Sequence, residues 1–175
     1  MSLLLELPEL LVIHVALSVV ALVSGVVAVA AMLFHRRLDS WTALFLITTG
    51  ITSITGLMLP RDGFTVMQGL GVATLVALVL PLLGLYVFAM RGIWRVLEIC
   101  GATLAFYFTT IAAMTQGFET IPALHALAPT RMAPPFLIAQ GVLLLVFLVA
   151  GIAAIRRFRP DCSTPIDPDY VPSGD

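Results

Sequence analysis

Charge is scarce in this 175-residue chain: 11% of the residues are Asp, Glu, Lys or Arg, against roughly 25% in ordinary soluble domains. Lysine is missing altogether, and all nine basic residues are Arg, a bias that codon usage explains more simply than selection for bidentate contacts. Set against ten Asp and Glu, they leave a formal charge of -1, which provides neither a basic surface for nucleic acid nor an acidic tail for cations. Cysteine is limited to Cys100 and Cys162. Two are too few for a disulfide framework, and their spacing matches no zinc or haem-attachment pattern, so both are expected as free thiols. Positive charge is also absent from the start, where MSLLLELPELL carries Glu6 and Glu9. A cleaved secretory signal is therefore not expected, and the first apolar segment should remain in the mature protein. No internal repeat is visible, against the inverted-repeat plan of many transporters. No Ser-His-Asp order, buried carboxylate pair, Gly-rich phosphate loop or metal signature is present either, so no catalytic residue and no metal ligand is named.

Apolar residues fill the space: 60% of the chain is hydrophobic and the mean hydropathy is +1.08. Such a composition belongs in a bilayer. A hydrocarbon core of about 30 Å needs roughly 20 apolar residues per helix, and five runs of that length are found, at about 10–34, 41–59, 66–90, 93–115 and 135–155. The fold class is therefore all-α, a polytopic transmembrane bundle filling residues 1–159. The tail 160–175, rich in Pro and Asp, is expected to be a flexible cytoplasmic segment. The fourth run is interrupted by Arg95 and Glu98 in its first two turns; spaced i,i+3, they are expected to pair near the headgroups.

Arginine placement sets the direction. An outside N-terminus puts seven of the nine Arg in the cytoplasm (Arg36, Arg37, Arg91, Arg95, Arg156, Arg157 and Arg159) and leaves Arg61 and Arg131 outside, as the positive-inside rule demands. Trp41 and Trp94 open helices at that same interface, where indole rings prefer to lie. The C-terminus is then cytoplasmic.

Polar side chains inside a membrane must find partners, so their placement guides the search for a site. The outer halves of the spans hold His14, Ser18, Thr52, Ser53, Thr55, Gln68, Thr74, Tyr107, Thr109, Thr110, Thr115, Gln116 and Gln140, whereas the inner halves hold Ser24, Thr42, Thr48, Thr49, Tyr86 and Thr103. The excess defines an outer polar region in which His14, His125, Gln68, Tyr107, Gln116 and Gln140 are the candidate cofactor-binding residues. In the second span Thr48, Thr52 and Thr55 fall on one helical stripe and Thr49, Ser53 and Gly56 on the next; this face is expected to pack closely against neighbours. Pro81 is expected to kink the third span and free the carbonyl of Ala77.

The outer connection 116–134 carries Phe118, Ile121, Leu124 and Leu127, with Pro122 placed to open a short helix. It is expected to fold over the bundle as a lid, bringing His125 and Glu119 to the outer helix ends near His14 or Gln68. Haem b across helices needs two imidazoles at matching depth, for which His14 with His125 is the one pairing that topology allows. His35 belongs to the cytoplasmic positive belt.

The segments RRLDSWTALFLITTGITSITG (36–56) and PALHALAPTRMAPPFLIAQ (122–140) resemble an uncharacterised family of small bacterial integral-membrane proteins. The likeness extends more weakly over all five spans and implies a bacterial inner membrane without supplying an activity. Members often carry a His near the position of Gln68, which this chain lacks, and that weakens a haem or metal reading. Three functions are thus expected, in order. The first is a non-enzymatic accessory or structural subunit packing against other membrane-protein subunits, or a homo-oligomer, with no cofactor. The alternative is a haem b- or quinone-binding electron-transfer protein with its site at the outer face. The last is a small oligomeric transporter or channel, for which the spans offer no charge deep in the membrane.

Overall fold

Among the described residues, the apolar runs fold as five helices long and apolar enough to cross a bilayer, with one short helix between the last two. The structure, a computed structural model, describes residues 3–34, 36, 38–59, 63, 65–89 and 91–157, with side chains from Glu9 onward. Helix α1 covers Leu3–Leu33, α2 Asp39–Met58 and α3 Val66–Leu82, which continues as a π-helical turn Leu83–Val87. Helix α4 covers Trp94–Thr120, α5 Pro122–Leu127 and α6 Pro134–Arg157. The tail 160–175 and the residues His35, Arg37, Arg61, Arg159 and Cys162 lie outside the described residues.

Local chemistry sets the ends. Pro60 disfavours helix at the residue before it, and Leu59 is extended there, at φ -64° and ψ 126°. Helix α3 opens with a capping box: the Gln68 amide N–H donates to Thr65 Oγ1 at 3.3 Å, and the Thr65 N–H donates to Gln68 Oε1 at 2.9 Å. Pro81 supplies no N–H to the Ala77 carbonyl, and two residues later the helix widens into the π turn, whose i→i−5 bond runs from Phe88 N–H to the Leu83 carbonyl at 3.0 Å. Ala89 and Gly92 then adopt positive φ, 46° and 56°, to reverse the chain. The turn is closed by Phe88 stacked on Trp94, ring centroids 3.7 Å apart and 7° from parallel. Helix α4 continues past Thr115, where the apolar run weakens, to Thr120; the lid is correspondingly shorter than its sequence suggests. Pro122 occupies the first turn of α5, as its fixed φ favours.

Helix α4 is the centre of the bundle: half of its spanning window is buried, and it packs against α3, α6, α1 and the short α5, while α2 closes the ring between α1 and α3. Lipid tails are as apolar as Leu, so helices gain little hydrophobic drive by associating and must gain it from close contact. Alanine and glycine provide that contact. The core contains Ala28, Ala102, Ala105 and Ala154 around Phe45, Ile99 and Phe106. Phe106 meets Phe45 edge-on at 5.8 Å and Phe147 of α6 at 5.0 Å, and it lies over Gly25 of α1, where an added Cβ would stand 2.5 Å from the ring. The Arg95 guanidinium of α4 donates at 3.5 Å to the carbonyl of Ile155, in the last turn of α6. That contact joins the start of α4 to the end of α6, so Arg91, Arg95, Arg156 and Arg157 share one end of the bundle.

Candidate functional site

The sequence-selected polar residues occupy several separate places. His14 lies on α1 against the last turn of α2: its Nδ1 is 2.9 Å from Thr55 Oγ1, which also donates to the Thr52 carbonyl at 3.0 Å. Which of His14 Nδ1 and Thr55 Oγ1 donates is set by the imidazole tautomer. Gly56 makes room for the ring, since a Cβ there would stand 3.0 Å from His14 Cε1. Gln68, expected to face a ligand, is engaged in the capping box of α3. Tyr107 rests on Phe147, with ring centroids at 5.6 Å. Gln116 is exposed on α4, and Gln140 is half-buried on α6. His125 is exposed on α5, which packs on α4, so the two histidines of the outer region are carried against different helices.

Most hydroxyls of the spans are bonded within their own helix. Ser18, Ser24, Thr48, Thr74, Thr109, Thr110 and Thr115 each donate to the carbonyl one turn earlier, at 2.7–2.9 Å, the usual way these residues satisfy themselves in lipid. Thr49, Thr52 and Thr103 are the exceptions: their hydroxyl oxygens are buried and hydrogen-bond to nothing among the described residues. The buried face of α2 thus includes Thr48, Thr49, Thr52 and Ser53, whereas Thr55 and Gly56 are half-buried.

The lid bounds a small cleft of about 50 Å³ lined by Thr115, Phe118, Glu119, His125, Arg131 and Phe136, among others. His125 and Glu119 both line it at the end of α4, while neither His14 nor Gln68 does. Phe118 of α4 meets Phe136 of α6 edge-on at 5.4 Å beneath the lid, and Ala128 of the lid is buried. Arg131 bridges to Glu119 at 2.6 Å with both side chains about two-fifths exposed, a surface pair contributing at most about 1 kcal/mol. A cleft of this size admits water but no drug-sized ligand, which needs roughly 300 Å³ or more. Among the described residues no three His, Cys, Asp or Glu side chains gather where a metal could bind.

Glu98, expected near the headgroups beside Arg95, is 1% exposed in the second turn of α4, enclosed by the bundle. The space it fills is cleared by glycine: a Cβ on Gly84, in the π turn, would stand 2.8 Å from Glu98 Cβ and 3.1 Å from the Trp94 carbonyl. One turn on, Gly101 faces Pro81 and Ala77, where a Cβ would stand 2.5 Å from Pro81 Cδ and 2.9 Å from the Ala77 carbonyl oxygen. The carbonyl freed by the proline therefore abuts the α4 backbone. An enclosed carboxyl beside a π turn is a combination common at functional positions of membrane proteins. The signal was present in the sequence: Glu98 shares its helical stripe with Gly101, Ala102 and Ala105, the small residues that mark the face of closest packing. Compared with family models, curated proteins and solved structures, the chain matches none of them.

Proposed function

We propose that this protein is a non-enzymatic accessory subunit of a bacterial inner-membrane assembly, with its N-terminus outside and its C-terminus in the cytoplasm. The observation that carries this reading is the one-sidedness of the bundle. Half of the α4 spanning window is buried inside the chain, but only 6% of the α6 window is, and α1 is little better covered. The spans around α4 are all a third buried or less, and α6 and α1 are the least covered, so these two offer the most surface to whatever surrounds the protein. The polar groups of the spans are largely consumed by their own helices, and the lid cleft is too small for an organic cofactor, so the interior favours packing over chemistry. The arginine distribution supports the orientation, and the resemblance to small bacterial membrane proteins supports the location.

Native mass spectrometry of the protein drawn from its own membranes in mild detergent tests the proposal. Additional subunits without cofactor mass are expected; a lone monomer would refute it. A second reading, haem b or quinone at the outer face, rests on the imidazole of His14 lying within a span beside Thr55 and Gly56. A Soret band or extractable quinone that is lost in His14→Ala would decide for it.

A further inference from the structure

At the arginine-rich end of α1 the chain folds back on itself and leaves a groove of about 630 Å³ whose lining includes Val26, Ala30, Phe34, Arg36 and Leu38. We propose that this groove binds one anionic phospholipid, with an acyl chain along α1 and the headgroup phosphate on Arg36.

The dimensions suit a lipid tail. From Val26 to Phe34 the α1 axis runs about 12 Å at 1.5 Å per residue, most of the roughly 15 Å depth of one leaflet of a 30 Å core. The walls are apolar. Ala30 forms the floor at low side-chain volume, while Val26 and Phe34 project, 57% and 72% exposed. Arg36 stands at the headgroup end. Its amide N–H donates to the Ala31 carbonyl at 2.9 Å, and Phe34 N–H donates to the Ala30 and Ala31 carbonyls at 3.1 Å, so the crook is pinned to the last turn of the helix, much as a Schellman cap pins its chain. The guanidinium itself is exposed and enters no hydrogen bond or ion pair found among the described residues.

Selection must come from that charge. A tail gains little in leaving other tails for an apolar groove, so the groove sets where a lipid lies and Arg36 sets which lipid it is. A guanidinium binds phosphate in a two-pronged geometry. A zwitterionic lipid offers the same phosphate with a cation attached, which Arg36 repels. One basic residue at an anionic surface corresponds to a preference of about fivefold.

The full chain in nanodiscs of equal phosphatidylglycerol and phosphatidylcholine, released and weighed by native mass spectrometry, tests this. The wild type is expected to retain one phosphatidylglycerol about fivefold over phosphatidylcholine. Arg36→Gln, at an exposed position, should retain both equally, Ala30→Phe should retain neither, and Arg156→Gln should behave as wild type. Equal retention by the wild type, an unchanged preference in Arg36→Gln, or an equal loss in Arg156→Gln would each overturn the proposal. So would a photoreactive residue at position 30 that captures a protein in native membranes in place of lipid.

Discussion

Glycine contacts are where single atoms decide the fold. At Gly101 an added methyl meets Pro81 Cδ and the Ala77 carbonyl oxygen, and the latter is backbone that cannot turn away. Gly101→Ala should destabilise the bundle by about 3 kcal/mol, the upper part of the usual overpacking range, as read by thermal or steric-trap unfolding in detergent. Gly141 of α6 has nothing within 4 Å of its would-be Cβ, so Gly141→Ala should be neutral or stabilise by up to about 1 kcal/mol through helix propensity. Equal effects at the two positions would contradict the packing described. His14 and Thr55 give a second test. A cycle of His14→Ala and Thr55→Val should return an interaction energy near 0.6 kcal/mol, the average for interhelical hydrogen bonds in membranes; a value of zero would mean the contact contributes nothing.

Helices differ in how strongly the rest of the molecule holds them. The inward side chain Phe147 of α6 touches Phe106 and Tyr107, whereas Leu145 is 60% exposed. Phe147→Ala should cost about 2–3 kcal/mol, below the full loss for a buried Phe, and Leu145→Ala under about 0.5 kcal/mol. At the start of α3, Gln68→Glu should preserve the capping box, and Thr65→Ala should cost about 1 kcal/mol; a ligand role for Gln68 would instead make the Glu variant defective without unfolding. The existence of these elements was legible in the sequence because each is bounded by charge or proline. The far end of α4 was not, since TQGFET is polar but exposed only in part and stays helical with Phe118 packed on Phe136 of α6. The capping role of Gln68 was not read from the sequence because a capping glutamine and a ligand glutamine look alike until Thr65 is seen opposite it. The small-residue stripe of Gly101, Ala102 and Ala105 hinted that Glu98 faces a neighbour, and the approach of Gly84 in the π turn shows which neighbour encloses it.

For the whole molecule, the five spans and the shared end of the arginines follow from apolar run length and from where charge interrupts the runs. A reporter fused after Arg159 should be active only as a cytoplasmic fusion, and periplasmic activity there would invert the topology. The uneven burial of the spans is only partly legible in the sequence: α6 is the more apolar of the two and α4 the more polar, but α1 and α3 are about as apolar as α6, and only the bundle shows which helix is its centre and which its edge. The most direct measurement is site-specific photocrosslinking in native membranes from Leu145 and Leu148, on the uncovered face of α6, with the enclosed Ala154 as the control. An accessory subunit should give, from both exposed positions, an adduct with another membrane protein of defined mass. Lipid adducts alone from both positions would contradict the account.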